Sequence, residues 1–151
     1  MDDEIGKKIL ALLDAHRIMT ISTLSPDGWP QATTVGYANK GLTLYFLCGQ
    51  DSQKAANLAR DERVSLTIDH DTPHVMEITG LSMAAHAQAV VDPAEAETAL
   101  QLIMAKYPQQ DAIPLPMPTP ADVRIFRVTP VVISVLDYAR GFGHTDLVSY
   151  P

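Results

Sequence analysis

Only one cysteine, Cys48, occurs among the 151 residues, so no internal disulfide can form and a reducing cytosol is the compartment expected. Basic residues are scarce too: 11 Lys and Arg stand against 18 Asp and Glu, a formal charge of −7. That balance argues against an extended surface for nucleic-acid phosphates, while leaving room for a local basic pocket around one small phosphorylated ligand. No apolar run approaches the ~20 residues that cross a bilayer. The amino end, Met1-Asp2-Asp3-Glu4, is acidic where a secretory signal carries basic residues. A cytoplasmic protein without a membrane partner is expected. No nucleophile and base stand at a diagnostic spacing, so hydrolase chemistry has no support.

What is present reads as one domain over residues 1–151. Apolar content of 46% and charged content of 19% are those of a globular chain, long enough to bury about two thirds of its unfolded surface. Ile5, Ile9, Leu12 and Leu13 give Asp3 to His16 an amphipathic helical pattern. Strands are expected at Ile18 to Leu24, Gln31 to Ala38 and Leu42 to Cys48, joined through Ser25-Pro26-Asp27-Gly28 and Asn39-Lys40-Gly41. Val64, Leu66 and Ile68 alternate with polar residues in a further strand. Val75 to Thr79 and Met83 to Val91 read as two more, with a bend at Gly80. Asp92-Pro93-Ala94-Glu95 starts a helix that runs to about Tyr107, with Asp92 as cap and Glu95 completing a capping box. Pro114, Pro116, Pro118 and Pro120 mark residues 108–122 as an extended connection rather than a strand; a ligand for a proline-reading domain is the other reading. Val123 to Val128 and Val131 to Leu136 form a last strand pair around Thr129-Pro130. Seven or eight strands, mostly antiparallel, with flanking helices make a closed or nearly closed β-barrel the expected fold.

One segment suggests binding. Gly49-Gln50-Asp51-Ser52-Gln53-Lys54 follows a strand and opens a helix, with Ser52 a good N-cap. Lys54 then sits in the first helical turn, where the helix dipole disfavours a cation. A bound anion reverses that sign, because free backbone N–H groups and the ammonium share it. A solvated surface lysine is the plain alternative.

With this order in view the chain resembles the pyridoxamine 5′-phosphate oxidase-like family, the FMN-binding split barrels. The resemblance rests on Asp27-Gly28-Trp29-Pro30-Gln31, Leu44-Tyr45-Phe46, Ser52-Gln53-Lys54-Ala55-Ala56-Asn57-Leu58 and Arg63-Val64-Ser65-Leu66, and covers roughly residues 5 to 107. It implies a split β-barrel and a homodimer with FMN at the subunit interface. It further implies a flavin lined by Thr33, Thr34, Val35 and Gly36, backbone contacts from Leu47 and Cys48, and a phosphate held by Ser52, Gln53 and Lys54. Two departures stand out. The vitamin-forming oxidases carry an arginine where Thr33 stands and usually a second basic residue where Gln53 stands. Their carboxy-terminal arginine and histidine pattern is also not evident. The resemblance therefore implies a flavin-dependent oxidoreductase of small molecules other than the vitamin-forming enzyme, with a haem- or deazaflavin-binding protein, or a non-enzymatic cofactor-binding dimer, as alternatives.

Other groups of chemical side chains stand beside it. The tail over residues 137–151 carries Arg140 and His144, with Gly141 and Gly143 flanking Phe142; these two are the catalytic candidates, and a surface tail is the alternative. Asp69-His70-Asp71-Thr72-Pro73-His74 holds four metal-ligating types, but Pro73 breaks a helical His-x3-His geometry, so no metal site is expected. His144 or His86 would be the axial ligand were the group a haem. Cys48 fits a small buried hydrophobe, and Trp29 either a ring-stacking residue or a cover for the barrel mouth.

Overall fold

The computed structural model describes residues 3–107 and 121–150. Helix α1 (Asp3–Ala15) drives Ile9 and Leu13 fully into the core on its four-residue spacing, with Ile5 and Leu12 beside them. Strand β1 (Ile18–Leu24) buries Met19, Ile21 and Thr23 on alternate positions. The expected turn follows: the Gly28 N–H donates to the Ser25 carbonyl at 2.9 Å, and Gly28 takes a φ of 87°. Strand β2 (Pro30–Gly36) then pairs with β1 along its whole length. The expected continuation to Ala38 fails at Tyr37. Its N–H donates to Arg17 and its hydroxyl to the Leu13 carbonyl (3.0 and 2.7 Å), which turns the ring out of the ladder and into the core. Ala38 instead opens β3 (Ala38–Lys40), which pairs with β4 (Thr43–Gly49).

Helix α2 (Gln53–Arg60) leads to β5 (Arg63–Asp69), whose inward and outward positions alternate without exception. The strand expected at Val75 to Thr79 is a single 3-10 turn, Val75–Glu77, closed by Ile78 N–H to the Val75 carbonyl at 3.2 Å. Val75 and Met76 are exposed and find no core, so their apolar character does not draw them into a sheet. Thr79 opens β6 (Thr79–Ala89). Gly80 is not a bend; it lies in the ladder opposite Asp69 and Leu136, where a Cβ would come 2.6 Å from the Ile68 carbonyl.

The strand pair expected near the end is one strand, β7 (Val123–Asp137), 15 residues long. Pro130 has no N–H for the ladder, and the register with β6 shifts there: Ala85 faces Pro130 but Ala84 faces Val132, leaving Val131 as an extra residue. The bulge accommodates the proline where a turn was expected.

All pairings are antiparallel, in the order β2-β1-β5-β6-β7-β4-β3. The first half of β7 pairs with β4, and its second half with β8 (Thr145–Ser149). The sheet thereby forks and curls into a half-barrel, the expected split barrel. Inside, Phe46 stacks on Phe126 at 5.3 Å between centroids. Outside, α3 (Pro93–Lys106) packs Ala99 and Ile103 on Ala38, Tyr45 and Ile125. Asp92 caps α3 through the Ala94 N–H at 3.2 Å. Glu95 does not close a capping box; its carboxylate accepts from the Tyr45 hydroxyl at 2.8 Å and from two Arg127 nitrogens at 2.9 and 2.8 Å. The expectations for Pro114 to Pro120 lie outside the described residues. Among those described, no helix is long and apolar enough to cross a membrane.

Candidate functional site

The mouth of α2 is built by its cap. Ser52 holds extended backbone angles, its N–H donates to the Gly49 carbonyl at 3.1 Å, and its Oγ accepts from the Ala55 N–H at 3.1 Å. The first two amides, of Gln53 and Lys54, have no helical acceptor by geometry. Lys54 is half-buried, and its ammonium has no hydrogen-bond or ion-pair partner among the described residues. Two backbone N–H groups, a hydroxyl and an uncommitted cation therefore stand at one helix end.

On β2, Gln31, Thr33 and Val35 share one face. Val35 packs against the core, while the Oγ1 of Thr33 is buried without a hydrogen-bond partner among the described residues. A buried, unpaired hydroxyl costs about 1–3 kcal/mol, which suits a group awaiting a ligand. Thr34 faces the other way and is exposed. Gly36 answers to packing: a Cβ there would fall on the hydroxyl of Tyr107, which donates to the Arg17 carbonyl at 2.7 Å. The Leu47 side chain joins the α3-side cluster and Cys48 the main core, so both have only backbone to offer a cofactor.

A polar chain centred on buried Asn57, not foreseen from the sequence, links the first turn of α2 to β1 and β2. Asn57, fully buried on α2, donates from Nδ2 to the Thr23 Oγ1 at 3.0 Å and to the Gln31 Oε1 at 3.2 Å. Its Oδ1 accepts from the Gln53 Nε2 at 2.8 Å. Gln53 thus directs one N–H into the helix rather than outward. The only sequence signal was an asparagine among alanines and leucine on a short helix. These residues fit the phosphate end of a flavin nucleotide: one cation, free amides and at least one hydroxyl in want of a partner.

The tail candidates form a separate group. After β7 comes a 3-10 turn, Tyr138–Arg140, then Gly141 and Gly143 at φ of 143° and 73°, then β8. The Nε2 of His144 lies 3.2 Å from the Asp146 Oδ2, and the Nη1 of Arg140 lies 3.7 Å from the same oxygen. A 660 Å³ cleft beside them is lined by Arg140, Asp146, Lys7 and Lys8. Lys8 also pairs with Asp137 and holds that carboxyl below its ordinary range. No hydrogen bond or ion pair among the described residues joins this group to the α2 mouth.

A larger cleft, of 890 Å³, runs along the far side of α2. Ala55, Leu58, Ala87 and Phe126 give it an apolar floor, and His86, Arg60, Arg63 and Arg124 stand around it. Of the residues expected to bind cofactor only Ser52 reaches it. The loop from Asp69 to His74 gathers no metal site; among the described residues no three His, Cys, Asp or Glu side chains are placed to hold an ion. His70 instead meets His16, ring nitrogens 3.3 Å apart. Trp29 is 73% exposed.

The family model for pyridoxamine 5′-phosphate oxidase matches residues 5–137. The chain belongs to the pyridoxamine 5′-phosphate oxidase family. No curated protein matches it in sequence. A conserved hypothetical protein from Mycobacterium tuberculosis is similar in structure (TM-score 0.74, 24% identity, 100% of this chain and 92% of that one). So is a Listeria innocua protein provisionally named a pyridoxamine 5′-phosphate oxidase (0.70, 23%, 88% and 98%). A heme binding protein from Mycobacterium smegmatis is similar over 95% of this chain and 56% of its own (0.70, 20%). At these identities the likeness establishes the split-barrel fold alone, and the family membership rests on the match across residues 5–137.

Proposed function

We propose that this family member is an FMN-binding oxidoreductase, active as a homodimer on a small molecule and distinct from the vitamin-forming oxidase. The observation that carries the reading is an uncommitted ammonium at Lys54 and an orphaned hydroxyl at Thr33, on two elements that the Asn57 hydrogen bonds link. Lys54, the Gln53 and Lys54 amides and the Ser52 hydroxyl hold the phosphate. Thr33 donates to the bound group from β2, with Val35 behind it as apolar wall. Bound flavin supplies the hydride and electron chemistry. Asp146 orients His144, and Arg140 offers a fork for an acidic substrate; both serve the site from the tail of a second copy, since they lie apart from the α2 mouth within one subunit.

The test is a titration followed by flavin absorbance and fluorescence, with FMN and riboflavin in parallel. Wild-type protein should bind FMN saturably. Lys54→Ala should weaken FMN by about tenfold to a hundredfold, the value of one charge-assisted hydrogen bond, and leave riboflavin unchanged. Absence of saturable binding rejects the cofactor, and an unaltered FMN affinity removes Lys54 from the site. The same titration with a deazaflavin separates the two flavin types. Bound flavin that neither nicotinamide nucleotide nor substrates reduce would make the protein a carrier rather than an enzyme.

One observation favours a second reading, a haem site in the 890 Å³ cleft. The Nδ1 of His86 lies 3.7 Å from the Oε2 of Glu62, an oxygen buried without a hydrogen-bond partner among the described residues, and such a pair orients the other ring nitrogen for a metal. Arg124 would meet a carboxylate, Arg63 and Arg60 being held by Asp61 and by the Leu24 carbonyl, and a similar protein from Mycobacterium smegmatis is named for heme binding. Haemin titration should then give a saturable Soret band that His86→Ala abolishes. A band that survives His86→Ala and disappears in His144→Ala would move the ligand to the tail.

A further inference from the structure

We propose that Asn57 is the positioning residue of the anion site, and that the Gln53 side chain serves the phosphate through it rather than by contact. The proposal rests on the anion-site reading above and assigns the orientation of that site to a residue outside it. Helix α2 has eight residues, too few to be stable alone, so its direction is set by what holds it. Asn57 is fully buried and every hydrogen-bonding group of its amide is used: both Nδ2 hydrogens, on Thr23 of β1 and Gln31 of β2, and Oδ1, on Gln53 in the first turn. Thr23 is itself buried, 1% exposed. A buried amide left unpaired is costly, so only a helix placement that meets all three partners together is low in energy. Gln31 lies two residues before Thr33 on the same strand face, and Gln53 precedes Lys54 directly. Asn57 therefore sets the separation between the ammonium and the orphaned hydroxyl while touching neither.

A merely structural asparagine would lower stability and leave ligand preference alone. A positioning asparagine acts on the phosphate, and chiefly through Lys54. The experiment is a double-mutant cycle of Asn57→Leu with Lys54→Ala, read as the ratio of FMN to riboflavin affinity, with Thr23→Val as the milder partner should Asn57→Leu fold poorly. Asn57→Leu or Thr23→Val should lower the ratio about fivefold to tenfold in the wild-type background and distinctly less once Lys54 is alanine. Losses that add independently, or a ratio that does not move, overturn the proposal. Hydrogen exchange on ligand-free protein reads the same device without any flavin. Thr23→Val should speed exchange of the α2 amides about fivefold or more against unchanged β5 amides, and equal protection of α2 in both proteins overturns the proposal. Failure of wild-type protein to bind FMN rejects the cofactor reading alone, because the exchange result still decides whether Asn57 orients the helix.

Discussion

A single hydroxyl separates stability from binding in this molecule. Thr33 buries its Oγ1 with no partner among the described residues, although its neighbours Gln31 and Val35 are each engaged, by Asn57 and by the core. Valine has the same shape without the oxygen, so Thr33→Val removes a desolvation cost and no hydrogen bond. Ligand-free protein should gain about 1 kcal/mol in urea unfolding, while FMN binding should weaken severalfold. A loss of stability on that change would show that the hydroxyl already has a partner in solution, and unchanged FMN affinity would take Thr33 out of the site. Nothing in the order Ala32-Thr33-Thr34-Val35 announces this asymmetry. Which of two adjacent threonines faces inward is set by the register with β1, and that is fixed by long-range pairing.

At the scale of elements, local chemistry was legible where it is self-contained. The Ser52 cap, the Gly28 turn and the alternation of β5 act within a few residues, and each forms where the sequence places it. Three features depend on distant partners and were read otherwise: the bulge that carries Pro130 inside β7, the 3-10 turn at Val75–Glu77, and the work of Glu95. A capping glutamate and a cross-element ion pair begin with the same residue at the same position. Arg127 and Tyr45 decide between them, because they offer the carboxylate charged and neutral donors on the strands that α3 covers. Arg127 above all lowers the Glu95 carboxyl from 4.5 to about 2. A folded-state value below the unfolded one means that this pair adds stability above about pH 4.5 and loses it as pH falls through about 2. Glu95→Gln should therefore be less stable than wild type near neutrality, with the two urea midpoints converging between those limits. Parallel curves down to pH 2 would show that Glu95 carries no pH-linked stability.

For the whole molecule, the proposed homodimer would bring together two chemical groups that line different clefts within one chain. The α2 mouth has a cation, hydroxyls and the Asp51 carboxylate but no histidine within residues 49–54, whereas the tail has His144, Arg140 and Asp146 around one carboxylate oxygen and faces a different cleft. Beside the tail, Phe142 is 77% exposed on a glycine-flanked turn, its ring set edge-on to Tyr138 at 5.6 Å, and Leu147 on β8 is 69% exposed. Large apolar side chains held outward on short, well-paired elements suit a surface that a second copy covers. Light scattering should then give a mass near twice 16.4 kDa. Phe142→Glu, which puts a charge into that contact, should return the mass to one chain and weaken FMN together with substrate turnover. Lys54→Ala should weaken FMN while leaving the mass doubled. A single-chain mass for the wild type would place the tail's chemistry outside a shared site, and a doubled mass in Phe142→Glu would move the contact to another face of the half-barrel.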